Sequence, residues 1–192
     1  KSSPFGTAEQ PINPLGVAIA SECTFVARSL DSDTQHLASV LERAARHKGT
    51  AFVEIYQNCN IFNDAAFEEF TNREVRSDRM LYLEHGHPMV FGKNHDKGIR
   101  LNGLEPEVVT LGGGVTEKDL LVHDENAPEP TLAYLLSRMN YPEFPVPVGV
   151  FYSVQRPCFE EGMVKQEKDL VARLGPGNLE KLIRGNETWS VT

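Results

Sequence analysis

Thr50-Ala51-Phe52-Val53-Glu54-Ile55-Tyr56-Gln57-Asn58-Cys59-Asn60-Ile61-Phe62-Asn63 decides the fold. Phe52, Val53, Ile55 and Tyr56 are β-branched or aromatic, which suits a pleated, covered strand. Gly49 punctuates its start. Asn58, Asn60 and Asn63 end it, because short amides bond their own backbone and favour turns. The reading is a buried strand that runs into a polar loop carrying one cysteine.

Working outward, Cys23 to Arg28 reads as a second strand, and Thr34 to His47 as a helix between the two. Leu37, Val40, Leu41 and Ala44 fall at i, i+3, i+4 and i+7, which predicts one apolar face. Leu41→Ala is therefore expected to cost about 2–5 kcal/mol as a buried truncation. Asp33 suits the N-cap, and Arg43, Arg46 and Lys48 crowd the C-terminal end, where the macrodipole favours cations. Gly49 is expected to supply a left-handed stop. Strand, helix and strand make a crossover of the length parallel strands need. In open α/β sheets ligands bind beyond the carboxyl ends of the strands, and Cys59 stands at such an end.

Before this unit, residues 1–14 read as extended loop, and Pro14 as the first turn of a short helix through Ala20. After it, Asp64 is expected to cap a short helix to Phe70. Met80–Glu84, Met89–Phe91, Ile99–Leu101 and Glu107–Leu111 predict a small antiparallel meander. Asn102-Gly103 is its hairpin dipeptide. Thr116 with Asp119 resembles a capping box. Helices are expected over Thr131–Met139, Met163–Leu174 and Asn178–Arg184. Pro145 and Pro147 confine the extended run Val146–Val154 to an edge or a loop. The fold class is thus α/β: a parallel βαβ-containing sheet, an appended antiparallel meander and C-terminal helices.

At 192 residues the chain has room for one sizeable core. The net charge of −8 is uneven, with the acidity concentrated in residues 65–130. Nucleic acid is excluded as a partner class, since phosphate binding needs a basic footprint. No apolar run is long enough to cross a bilayer, so no membrane partner is expected. Three irregularly spaced cysteines argue for a reducing, cytoplasmic setting. The opening Lys1-Ser2-Ser3-Pro4 reads as mid-loop, as in a piece of a longer protein.

Several residues invite a chemical reading. Composition alone makes Cys59 an ordinary loop cysteine; its place at a strand end argues for a role. Cys23 and Cys158 have no partner motif and read as buried. His85-Gly86-His87 has two metal-ligand types without a third nearby, so an exposed turn is favoured. Gly112-Gly113-Gly114 lacks the spaced glycines or Lys-Ser/Thr of a phosphate cradle and reads as a turn. Glu54, inside an apolar run, is expected to pair with an arginine.

Lys1-Ser2-Ser3-Pro4-Phe5-Gly6, Asn13-Pro14-Leu15, Thr24–Arg28, the helix with its Gly49–Ile55 exit, and Gln57–Asn63 together resemble the second half of the β subunit of 2-oxoacid:ferredoxin oxidoreductases, the 2-oxoglutarate type above all. His85–Gly92 and Asp124-Glu125 fit the same subunit. The resemblance implies that residues 1–72 complete a thiamine diphosphate-binding domain and that 73–192 extend it. It implies oxidative decarboxylation of a 2-oxoacid with thiamine diphosphate and Mg²⁺. Electrons would leave through a [4Fe–4S] cluster to ferredoxin, and coenzyme A would take the acyl group. It also implies that Cys59 is the fourth cluster cysteine. The other three, and the Gly-Asp-Gly metal–diphosphate motif, are absent from this chain and are expected upstream. The implied partners are that upstream half, the α subunit and ferredoxin. No catalytic acid or base is assigned, and this chain alone is expected to be inactive. A non-catalytic interaction domain derived from such a subunit is the alternative. A small metal-dependent hydrolase using His85 and His87 is a third reading.

Overall fold

The computed structural model describes residues 5–189, so Lys1–Pro4 of the resemblance lie outside the described residues. The chain divides into two compact units, 1–156 and 157–192. In chain order the first holds α1 (Pro14–Ala20), β1 (Phe25–Leu30), α2 (Thr34–Arg46), β2 (Ala51–Tyr56), α3 (Glu68–Thr71), α4 (Arg76–Arg79), β3 (Met80–Tyr82), β4 (Val90–Phe91), β5 (Lys97–Asn102), β6 (Glu105–Thr110), α5 (Thr131–Ser137) and β7 (Val146–Ser153). The second unit holds α6 (Phe159–Leu174) and α7 (Leu179–Arg184).

The β1–α2–β2 crossover is present, with β1 and β2 parallel in unbroken register from Phe25↔Ala51 to Leu30↔Tyr56. Asp33 caps α2, its Oδ1 accepting from the His36 N–H at 3.2 Å. The predicted apolar face needs correction. Val40 is buried against Phe25, Ala27 and Val150, but Leu41 is 43% exposed. The stop also differs: His47 is extended, and the helix ends without a left-handed residue. Gly49 is required for another reason. Its φ is +129°, and a Cβ there would stand 2.6 Å from Thr24 Oγ1.

The sheet order is β2-β1-β7-β3. The proline-bearing run is therefore not at an edge. β7 lies between two neighbours and is buried from Val146 to Tyr152. It changes partner part-way: β3 pairs in parallel with residues 146–148, and β1 antiparallel with 149–153. Pro147 thus lies outside the antiparallel ladder, where a missing N–H removes no bond to β1. β3 was expected in the meander; it joins the main sheet instead. The meander is β4-β5-β6, with a two-residue turn at Gly103-Leu104. Gly103 has φ +65°, so the hairpin turn falls one residue later than Asn102-Gly103 suggested.

The first strand pair has a further surprise. β2 was expected to be covered, yet it is an edge strand with Ala51 and Ile55 exposed. Its neighbour β1 is buried throughout. One face of the sheet packs Leu15, Ile19, Val26, Leu136 and Phe151, with Ile99 and Met89 of the meander region in the same core. α2 covers the other face.

The later predictions fare unevenly. The Thr116/Asp119 capping box forms, on a single 3₁₀ turn. Asp64 does not cap a helix, because Ala65 takes φ +60° and α3 starts at Glu68. In the second unit α6 begins four residues earlier than expected, at Phe159, and Asn178 caps α7. Both helices leave large apolar side chains exposed, Leu174 and Leu182 among them. Among the described residues no helix is long and apolar enough to cross a membrane.

Two leucines separate the buried from the exposed reading. Leu136, fully buried beneath α1, should lose about 2–5 kcal/mol on change to Ala, whereas Leu41→Ala should lose less than about 1 kcal/mol. Urea unfolding of both variants checks this, and equal losses would refute the placement of α2.

Candidate functional site at the carboxyl ends of β1 and β2

Two loops leave the sheet at the same end: Asp31-Ser32-Asp33 after β1 and Gln57–Asn63 after β2. They are tied together by Asn58. Its N–H donates to Asp31 Oδ2 at 3.1 Å, its amide nitrogen to Asp64 Oδ1 at 2.9 Å, and its amide oxygen accepts from the Ala65 N–H at 2.9 Å. Asp64 therefore closes the loop, in place of the cap expected of it. A cleft of about 430 Å³ lies here, lined by Asp31, Tyr56, Asn58, Asp64 and Phe67 among others. Tyr56 and Phe67 stack at 4.5 Å to form its apolar wall.

Cys59 sits on the loop so closed, exposed to solvent. The Asn63 N–H bonds back to the Cys59 carbonyl at 3.0 Å, which folds the loop round the thiol. The neighbouring backbone N–H groups of Phe62, then Ile61 and Asn63, hold the Cys59 pKa below the ordinary thiol value, against burial and the charge of Asp64. Amide donors on a sulfur favour the thiolate, the form that ligates iron. Ile61 and Phe62 beside it expose most of their apolar surface.

Behind the loops is a second network. Asp33 Oδ2 accepts from Tyr82 Oη at 2.8 Å, and Arg76 stands 3.6 Å away. Burial works to raise the Asp33 carboxyl, but the bonds from Tyr82 and the His36 N–H, with the charges of His36 and Arg76, outweigh it and the pKa is lowered. The same burial, and the bond to Asp33, push Tyr82 up to about 12. Ser29 Oγ bonds His36 Nδ1 at 2.8 Å, but Ser29 is fully buried and unreachable.

Glu54 has the partner expected of it. Arg28 Nε donates to Glu54 Oε2 at 2.6 Å, with Arg28 almost wholly buried. Cys23 is buried, its thiol directed at the carbonyls of Phe25 and Thr50. Cys158, expected to be buried, is only half so. His85 faces Asp124 at 3.5 Å, and His87 lies 4.0 Å from Glu84. Among the described residues no three His, Cys, Asp or Glu side chains gather as a metal site, so the hydrolase reading has no ligand set. Gly112–Gly114 form a tight turn closed by Val115.

Sequence reading missed two buried groups. His123 is 1% exposed; its Nε2 lies 2.7 Å from the Val150 carbonyl and its Nδ1 has no partner. Glu125 pairs with Arg43 across 2.5 Å and its carbonyl accepts from the Ser153 N–H. Only the apolar context of Leu120-Leu121-Val122 hinted that His123 turns inward.

No protein-family model matches the chain. A curated relative, the 2-oxoglutarate oxidoreductase subunit KorB of Mycobacterium tuberculosis, is 36% identical over 194 residues, spanning all of this chain and 52% of the relative. The 2-oxoacid:ferredoxin oxidoreductase subunit beta of Saccharolobus solfataricus is 37% identical over 75 residues, 39% of this chain and 25% of its own length. The chain is a homologue of the 2-oxoacid:ferredoxin oxidoreductase β subunits. It spans about half the length of the first of these relatives. The fold agrees: a 2-oxoglutarate:ferredoxin oxidoreductase structure from Magnetococcus marinus, with 2-oxoglutarate, coenzyme A and succinyl-CoA bound, superposes with TM-score 0.58 at 17% identity. The match covers 97% of this chain and 49% of that one.

The histidines fix a pH dependence. Burial lowers the pKa of His123, His36 and His47. A lowered folded pKa means the unfolded chain binds more protons, so stability present above the unfolded value near 6.5 is lost as pH falls. Urea midpoints should drop between pH 7.5 and 5.5, and His123→Gln should flatten that drop. A midpoint that rises on acidification would contradict the buried, neutral histidines.

Proposed function

We propose that this chain is the C-terminal part of the β subunit of a 2-oxoglutarate:ferredoxin oxidoreductase, and that Cys59 gives one thiolate to its [4Fe–4S] cluster. In this reading residues 1–72 complete a thiamine diphosphate-binding domain and the remainder extends it. The observation that carries the reading is the Cys59 loop. It follows a parallel strand, it is closed by Asn58 and Asp64 and by the Asn63 N–H on the Cys59 carbonyl, and it leaves the sulfur exposed with the nearby amides of Phe62 and Ile61 favouring the thiolate. That donor set fits an iron–sulfur ligand, which must be a thiolate and whose sulfur is tuned by amide hydrogen bonds.

The rest of the cofactor set has no counterpart in these residues. Gly-Asp-Gly is absent from the sequence, so no residue here is assigned to thiamine diphosphate or Mg²⁺. Those sites, the other cluster ligands and the 2-oxoacid contacts fall to the rest of the β subunit and to an α subunit. When bound, thiamine diphosphate supplies the electron sink for decarboxylation and the cluster supplies one-electron transfer towards ferredoxin, with coenzyme A taking the acyl group. This chain's own part is narrower. Asn58 fixes the loop, Cys59 presents the thiolate, and Ile61 and Phe62 offer apolar surface that would shield a cluster from water.

Two outcomes test the reading. The chain alone should release no carbon dioxide from 2-oxoglutarate; release without an added subunit would sink the assignment of the chemistry to missing residues. In the complete assembly, Cys59→Ala should lose cluster iron and sulfide and the reduced-cluster paramagnetic resonance signal. Ferredoxin reduction should fall far more than decarboxylation. Cys23→Ala and Cys158→Ala should keep their iron. An unchanged signal in Cys59→Ala would overturn the ligand assignment.

A further inference from the structure

Arg76 stands outside the two loops at the carboxyl ends of β1 and β2, yet it completes a ring of bonds around them. It opens α4, beyond residue 72. Its side chain is only 14% exposed, and Nη1 stands 3.6 Å from Asp33 Oδ2. Nε and Nη2 both donate to the Thr71 carbonyl at the end of α3, at 2.9 and 2.7 Å. Nη2 also donates to Ser32 Oγ at 2.8 Å. Ser32 and Thr71 both line the 430 Å³ cleft, one from the β1 loop and the other from α3.

The bonds close on themselves. Ser32 follows Asp31, whose Oδ2 accepts the Asn58 N–H. Asn58 Oδ1 accepts the Ala65 N–H, and from Ala65 the chain runs through α3 to Thr71. Arg76 returns from Thr71 to Ser32. Two of these non-covalent links are made by Asn58, the residue before Cys59, and the third is Arg76. Opening a closed loop returns conformational freedom to every residue in it. Arginine suits the third link for a geometric reason. Its planar fork sets Nε and Nη2 on one carbonyl and leaves the second Nη2 hydrogen for Ser32, whereas a lysine ammonium is a point charge on a flexible stem.

We infer that Arg76 is a positioning residue for Cys59: by closing the ring it holds the loop in the geometry that keeps the thiolate on the cluster. The inference rests on the reading of Cys59 as a cluster ligand. Groups that orient a metal ligand without touching the metal matter about ten- to a hundredfold for its retention. Arg76 therefore gives the segment after residue 72 a part in the electron-transfer site.

The test uses the complete assembly that contains this chain. Arg76→Gln, Arg76→Lys and Ser32→Ala should each speed amide exchange at Asn58 and Ala65 by about tenfold. Each should also release cluster iron to a chelator about tenfold faster. The reduced-cluster paramagnetic resonance signal should broaden, because a freer thiolate leaves the cluster in more than one geometry. Arg79→Gln is the control. Arg79 lies on the same helix and bonds the Glu69 carbonyl at 2.6 Å, so it ties α4 to α3 without closing the ring. That variant should keep the exchange, iron release and signal of the parent. Ser32→Ala removes one exposed hydroxyl, so it decides the matter if the Arg76 variants fail to assemble. Unchanged exchange and iron release in Ser32→Ala, parent-like behaviour in Arg76→Lys, or equal changes in Arg79→Gln would each overturn the inference. Cys59→Ala separates it from the reading beneath it. A lost signal there, with iron held as firmly as in the parent by the Arg76 variants, sinks the positioning role alone. A retained signal sinks the ligand assignment and the positioning role with it.

Discussion

A buried ion pair organises this fold. Arg28 on β1 is almost wholly enclosed, and its charge is met by Glu54 on β2 at 2.6 Å and by the Pro147 carbonyl on β7 at 3.4 Å. Its guanidinium also stands 4.8 Å from the Tyr56 ring centre and 5.6 Å from that of Phe151. One side chain thus touches three adjacent strands. A buried charge is tolerable only when so surrounded, and removing one partner strands the other at a cost of about 3–5 kcal/mol. The pair need not make the fold more stable than apolar residues would. It does tie β1 to β2 and to the proline-bearing stretch of β7. The two loops at the carboxyl ends of β1 and β2 are carried by this one braced frame.

The loops inherit their geometry from that frame. Tyr56 is the last residue of β2, stacks on Phe67 and sits beside Arg28. Three residues later comes Cys59. A thiol on an unbraced loop would sample many positions; here Asn58 and Asp64 close the loop and Asp31 anchors it to the end of β1. The cost is a left-handed Ala65, a conformation that only surrounding hydrogen bonds make acceptable. The apolar neighbours Ile61 and Phe62 face solvent in this chain, and β2 next to them has an open edge.

Local chemistry was legible in the sequence, and long-range pairing was not. The α2 cap at Asp33, the Pro14 helix start, the Thr116/Asp119 box and the Glu54–arginine pair depend on residues whose tendencies act over a few positions or across one strand pair. The place of β7 does not. Pro145 and Pro147 argue for an edge, and only the change of partner at 148/149 lets such a strand lie in the middle. β3 has the same periodicity whether it joins the meander or the sheet. Leu41 fits the apolar period of α2 but lies on its rim, since the covering layer extends only as far as Val40 and Ala44. For the site, Cys59 and its asparagines were visible as a loop after a strand. The closure of its loop by Asp64 and by the Asn63 N–H, and the buried His123, depend on backbone direction, which periodicity does not encode.

The proposal that this chain is part of an enzyme acting on 2-oxoglutarate is met most directly by one assay. The complex that contains this chain is isolated intact, and reduction of ferredoxin is followed with 2-oxoglutarate or pyruvate as substrate, with and without coenzyme A. The account predicts reduction that requires coenzyme A and runs with 2-oxoglutarate in clear preference to pyruvate, with succinyl-CoA as product. Ferredoxin that stays oxidised with either substrate, in a complex that retains its iron and thiamine diphosphate, would contradict it.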